Sequence, residues 1–183
     1  MEPWREQLLE KLRAYGEQPL TVDERAMLAE FGPFIARHPD CLWRTCLPGH
    51  LTASAWVVEP TRERTLLMHH RKLDRWLQPG GHVDGDPDLL ASALREAREE
   101  TGLRQPVPVS PEIFDVDRHW IPERKAEPGH WHFDVRYLIE ADPAEPVVVT
   151  SESKELRWVK LARVMELNPE ESLLRLVRKT SGA

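Results

Sequence analysis

Between Gly80 and Leu103 the chain reads GGHVDGDPDLLASALREAREETGL, a glycine-rich loop running into a segment with the period of an amphipathic helix. Asp86 can cap that helix, and Pro87, which has no amide hydrogen to lose, suits its first position. At about 100° per residue, Leu89, Leu90, Ala93, Leu94 and Ala97 form one apolar stripe, while Ser92, Arg95, Glu96 and Glu99 lie away from it and Glu100 sits at its boundary. Gly102 can take the left-handed conformation that ends a helix, with Leu103 folding back onto the last turn. Glu96, Glu99 and Glu100 stand three and four residues apart, so like charges converge on one patch. A solvated face rich in Glu and Arg would look the same. With a hard divalent cation such as Mg2+ bound, the repulsion becomes affinity, because three carboxylates and a backbone carbonyl of the preceding loop make an oxygen cradle.

The rest of the chain supplies a mixed α/β frame. EPWREQLLEKLRAY has helical spacing, and TVDERAMLAEFGPFIARH opens with Thr21 and Glu24 placed as a capping box, so residues 1–40 are expected to be a helical extension. From residue 41 to 183 the runs LTASAWVVEP, RTLLMHH, PEIFDVDRHW, HWHFDVRYLI and ELRWVKL read as strands. A last helix is expected at PEESLLRLVRK, with Pro169 in its first position. At 183 residues one compact unit is expected. With 31 acidic against 25 basic residues, the net charge of −6 disfavours a nucleic acid polymer or an anionic membrane as partner. No apolar run approaches the roughly 18 residues of a membrane span, and MEPWREQLLEKL lacks the apolar core of a signal peptide, so a cytoplasmic location is expected. Cys41 and Cys46 are too sparse for a disulfide framework, and with His50 they lack a clear fourth zinc ligand.

The opening segment resembles the Nudix box, GX5EX7REUXEEXGU, where U is a bulky aliphatic residue. Gly81 opens the box, and Arg95, Glu96, Ala97, Glu99, Glu100, Gly102 and Leu103 fall on REUXEEXGU, with Ala97 a small substitute at the first U. Pro87 replaces the first box Glu, whose charge Asp84, Asp86 or Asp88 is expected to supply. The resemblance implies an α/β fold, an α/β/α sandwich around a mixed sheet that carries the N-terminal extension. It also implies hydrolysis of a small diphosphate compound, nucleotide-derived, with Mg2+ or Mn2+ held by Glu96, Glu99, Glu100 and the Gly80 carbonyl, and with Arg95 orienting a Glu. An isoprenoid diphosphate isomerase, which shares the fold and uses a cysteine, is kept open by Cys46 and the tract around His50. A binding module that retains the box without turnover is kept open by Pro87.

A second constellation lies in GHWHFDVRYLI. A period of two puts His130, His132, Asp134 and Arg136 on one strand face and Trp131, Phe133, Val135 and Tyr137 on the other. Inside a sandwich the polar row should line a cleft, and substrate contact is preferred to metal binding because alternating histidines suit phosphate. His82, in the loop entering the box, joins them as a substrate contact, with a better functional claim than His69 and His70 at the end of a strand. Trp76 and Trp120 are candidates for stacking on a base. The apolar faces of the first two helices need a cover, for which the same chain is preferred and a homodimer is the alternative.

Overall fold

The computed structural model describes residues 2–124 and 128–182. Helix α1 (Pro3–Gly16) leads into α2 (Val22–Arg37), whose expected capping box is present: the Thr21 amide donates to the Glu24 carboxylate at 2.9 Å, and the Glu24 amide to the Thr21 hydroxyl at 3.2 Å. Strands β1 (Gly49–Val58), β2 (Arg64–His70), β3 (Arg75–Leu77) and β4 (Gly80–His82) follow, then α3 (Leu89–Thr101). The chain continues through β5 (Val107–Pro108), β6 (Asp115–Ile121), β7 (His130–Glu140) and β8 (Ser153–Lys160) to α4 (Val164–Leu167) and α5 (Glu171–Ser181).

The sheet is mixed. Its centre is the parallel pair β1 and β7, in register from Gly49 opposite Trp131 to Val58 opposite Glu140; the other pairings are antiparallel. Along its other edge β1 meets β4 in its first half, from Thr52 opposite His82 to Ser54 opposite Gly80, and pairs with β2 at Val58 opposite Thr65. The sheet therefore splits between β4 and β2, and a cleft opens there.

Alternation along the central strands builds two cores. Leu51, Ala53, Ala55 and Val57 of β1, with Phe133, Val135, Tyr137 and Ile139 of β7, pack under α1, α2 and α3. Phe34 stacks on Phe133 with centroids 3.9 Å apart and Phe31 meets it edge-on at 5.2 Å. Each such ring contributes about 1.5–3 kcal/mol when buried, so the N-terminal helices are fastened to the sheet by their own chain. Trp56, Val58 and Leu138 face the opposite side, under Val164 of α4 and Leu173 and Leu176 of α5. The result is the expected α/β/α sandwich. Nearer the start of β1 that second face turns polar, carrying His50, Thr52 and Ser54 beside His132, Asp134 and Arg136.

Three local expectations are corrected. Helix α3 starts at Leu89 and is capped by Asp88, whose carboxylate accepts the Ala91 amide hydrogen at 3.0 Å; Asp86 instead accepts from the Asp88 amide at 2.9 Å, which leaves Pro87 in the loop. Ser92 is buried although it lies away from the apolar stripe. The final helix begins at Glu171, two residues beyond Pro169, because Asn168 Oδ1 accepts the Glu170 amide hydrogen and holds that stretch as a turn. Gly102 ends α3 in the left-handed region, at φ 76°, as expected.

Candidate active site

Helix α3 sets its carboxylates against β4. Glu100 is 5% exposed and accepts the Gly80 amide hydrogen at 2.9 Å. Burial pushes its carboxyl up to about 8; the Gly80 amide opposes this, and the charges of Glu96, Glu152 and Glu99 add to it. Burial likewise raises Glu96, against the pull of Arg95. Arg95 is the brace: its Nη1 lies 2.7 Å from Glu96 and 3.0 Å from Glu99, and its Nη2 donates to the His82 carbonyl at 2.8 Å. Glu99, half exposed, stands at the mouth of the group.

A divalent cation fits this arrangement. Buried carboxylates that hold protons tightly are short of positive charge, and the donor set is all oxygen, which suits Mg2+ or Mn2+. The strand also lies directly on them, since a Cβ at Gly81 would stand 2.9 Å from the Glu96 carboxylate. The aspartates expected to replace the box Glu are engaged elsewhere: Asp84 with Arg44 at 3.0 and 3.1 Å, Asp86 in the turn and Asp88 in the cap. Arg95 is satisfied by Glu96, Glu99 and the His82 carbonyl instead.

The carboxylates form one wall of a cleft of about 1050 Å³. Its floor is ionic. Thr52 and Ser54 each donate to Asp134 at 2.9 Å, and Arg136 reaches Asp134 at 2.8 Å, Asp117 at 3.2 Å and Asp115 at 3.3 Å. Asp115 is held from the other side by Arg175 at 2.9 Å and Lys179 at 2.7 Å of α5, and by the Tyr15 hydroxyl of α1 at 3.1 Å. Burial alone would raise Asp117, but Arg136, His119 and Arg175 outweigh it and keep its carboxyl far below the ordinary range.

Strand register gathers histidines at one end of the floor. His50 of β1 lies opposite His132 of β7, which lies opposite His119 of β6, while His82 of β4 packs against both His50 and His132. Burial, then the neighbouring rings, push His132 down to about 2 and His50 down to about 4, so both imidazoles are neutral at physiological pH. His130 is buried beside His132, with Nδ1 2.8 Å from the Pro128 carbonyl.

Of the residues singled out in the sequence, Gly80, His82, Arg95, Glu96, Glu99, Glu100, His132, Asp134 and Arg136 line this one cleft, and His130 stands behind its wall. Trp120 is half exposed in the cleft, whereas Trp76 stacks on His69, at 5.1 Å between centroids, and has the Arg157 guanidinium over its ring at 4.8 Å. Sequence reasoning missed Glu152 and His119. The alternation Asp115, Asp117, His119 signals the latter; Glu152 sits in an irregular segment before β8 and has no such signal. Cys46 is buried, and burial with Asp40 pushes its thiol up to about 12, away from the thiolate that cysteine-based chemistry needs.

Comparison with known proteins agrees with this geometry. Residues 48–178 match the model of the NUDIX domain family. A probable DHNTP pyrophosphohydrolase of Lactococcus lactis is 35% identical over 97 residues, which are 52% of this chain and 56% of that relative, so the match spans just over half of the relative's length. The asymmetrical bis(5'-nucleosyl)-tetraphosphatase of Rattus norvegicus is 28% identical over 119 residues, 64% of this chain and 77% of the relative. Among solved structures, the dihydroneopterin triphosphate pyrophosphohydrolase of E. coli superimposes with a TM-score of 0.60 at 15% identity, covering 73% of this chain and 96% of that one. The C. elegans Ap4A hydrolase binary complex gives 0.54 at 18% identity, covering 72% and 95%. With the family model matching well over half of the chain, and the box helix, its arginine brace and the sandwich all in place, this protein belongs to the Nudix hydrolase family.

Proposed function

We propose that this chain hydrolyses the diphosphate linkage of a small nucleotide-type compound in a divalent-metal-dependent reaction. The observation that carries the reading is the convergence of Glu96, Glu99 and Glu100, braced by Arg95, on the wall of a cleft that also holds the neutral His132 imidazole and the exposed Trp120 indole. Glu96, Glu99, Glu100 and the Gly80 carbonyl are the residues to hold Mg2+ or Mn2+; when bound, the cation supplies charge for the diphosphate oxygens and acidifies an attacking water. Arg95 fixes the spacing of two of those carboxylates without reaching substrate. Glu152, exposed and close enough to raise the proton affinity of Glu96 and Glu100, is the group placed to accept the proton of that water. His82, His119 and His132 offer ring nitrogens to phosphate oxygens, with His130 holding His132 in place. Asp134 and Arg136 are saturated by their neighbours and act as the rigid floor. The Trp120 ring is the surface for a base. The named relatives, a probable DHNTP pyrophosphohydrolase and an asymmetrical bis(5'-nucleosyl)-tetraphosphatase, support a nucleotide-type substrate.

The test is incubation with dinucleoside polyphosphates, nucleoside triphosphates and sugar nucleotides at saturating Mg2+, with products identified by mass and the entering oxygen traced from labelled water. Cleavage between phosphorus atoms in the wild type and its loss in Glu99→Gln supports the reading. Tight binding of these compounds with no product from any of them overturns it.

A further inference from the structure

We propose that His50, His130 and His132 form a second cation site in this chain, for a borderline divalent metal such as Zn2+, separate from the carboxylates of α3. The three rings make a nearly regular triangle, with centroids 4.7 Å apart for His50 and His130, 4.8 Å for His50 and His132 and 5.1 Å for His130 and His132. One ring nitrogen from each lies within 4.8 Å of the other two. The His130 and His132 Nε2 atoms are 3.2 Å apart. Two imidazoles on one tetrahedral zinc ion, with Zn–N of about 2.0–2.1 Å, hold their nitrogens roughly 3.4 Å apart. That pair is already close to ligand spacing, and the His50 nitrogen, within 4.8 Å of both, has to close by at most about 1.4 Å to complete the set.

The proton inventory points the same way. His130 Nδ1 lies 2.8 Å from the Pro128 carbonyl, which can only accept, so Nδ1 carries a hydrogen and Nε2, facing His132, is the nitrogen left to ligate a metal. A carbonyl behind a ligating imidazole is the usual device for fixing its tautomer and ring angle. His50 is the odder member. It is buried, and among the described residues neither of its ring nitrogens closes a hydrogen bond of strict geometry. The Cys46 carbonyl pulls weakly on a ring proton but closes no bond of normal geometry. A buried imidazole without a partner is costly unless something polar fills the space it faces. A cation shared with two further imidazoles fills it.

The site is set by the fold. The parallel register puts His50 opposite His132, and His130 follows two residues away on the same face of β7. Donor chemistry separates the two cations: nitrogen ligands favour Zn2+ and its transition-metal neighbours, whereas the all-oxygen group on α3 favours Mg2+. His132 lines the cleft, so the fourth ligand position is left to water or to a phosphate oxygen.

The experiment uses the full chain, stripped with a chelator and titrated with Zn2+ alone in a large excess of Mg2+, followed by X-ray absorption at the zinc edge. One equivalent of Zn2+ retained against Mg2+, with imidazole nitrogens as its protein ligands, is expected. His50→Gln should weaken Zn2+ binding by about tenfold or more, and Glu99→Gln should leave it within about twofold. Absence of binding, displacement by Mg2+, an oxygen-dominated shell, or a loss in Glu99→Gln as large as in His50→Gln would overturn the proposal. If His50→Gln does not fold, the ligand shell of the wild-type protein decides alone. Turnover is not the readout, so the outcome stands whether or not the chain proves to be a diphosphate hydrolase.

Discussion

The Gly80 amide and the Glu100 carboxylate meet at 2.9 Å across twenty residues of chain, fastening the last turn of the box helix to the strand on which the box opens. The bond aims one carboxylate oxygen at the backbone and leaves the other to the cleft. Replacing Glu100 with Gln keeps an acceptor for Gly80 but removes the charge. Turnover should fall by about 100-fold or more while the circular dichroism spectrum is unchanged. Activity within a few-fold of wild type, measured by product formation across a Mg2+ series, would take Glu100 out of the cation cradle.

Pro87 stands where the family places a carboxylate. Because Arg95 is already satisfied by Glu96, Glu99 and the His82 carbonyl, Pro87→Glu should change turnover by less than about threefold at any Mg2+ concentration. A large gain at limiting Mg2+ would show that the brace lacks a partner.

Trp120 offers the cleft an aromatic face, half exposed. If a base stacks there, Trp120→Ala should raise KM by roughly tenfold with kcat nearly unchanged, since stacking is worth about 1–3 kcal/mol per base. An equal loss in kcat would assign the ring to the structure of the wall.

Arg175 and Lys179 fasten α5 to the cleft floor through Asp115, and Glu24 of α2 joins them, 2.8 Å from Lys179. Arg175→Met leaves Asp115 buried with one cation fewer and should cost about 3–5 kcal/mol, read from urea unfolding. Adding Asp115→Asn to that variant should recover part of the loss, and further destabilisation instead would refute the charge argument.

Glu24 gives the same network a pH signature. Burial alone would raise its carboxyl, but Lys179 and the Thr21 cap outweigh it and hold it at about 2, below the ordinary 4.5. A depressed folded-state value means stability fully present above about 4.5 and lost as the pH falls toward 2. Glu24→Gln should therefore be less stable than wild type at pH 7 and converge with it near pH 2. A constant difference across that range would show that the carboxylate charge is not what holds α2.

Long elements were legible because each carries its own pattern: β2 spans the run RTLLMHH, and the Thr21 and Glu24 box marks the start of α2. Strands β3, β4 and β5 are two or three residues long and are defined by their neighbours, so no pattern within them announces a strand. The box carboxylates were legible because one helix holds them at fixed spacing. The ionic floor was not. Tyr15, Glu24, Asp115, Arg136, Arg175 and Lys179 come from five elements, and nothing local to a charged residue tells whether it will be buried. The displaced helix start has the same origin, since Asp86 and Asp88 are equally good caps and only the path of the loop chooses between them.

The ten-residue parallel register of β1 and β7 also acts as an error check on the chain. Core and cleft are written on alternate residues of the same two strands, so a single-residue insertion or deletion in either would turn the histidines and Asp134 into the hydrocarbon layer and expose Phe133 and Val135. No frame exists in which such a chain keeps its packing and loses only its chemistry. A change of the cleft that keeps this packing therefore proceeds by substitution, one alternate position at a time.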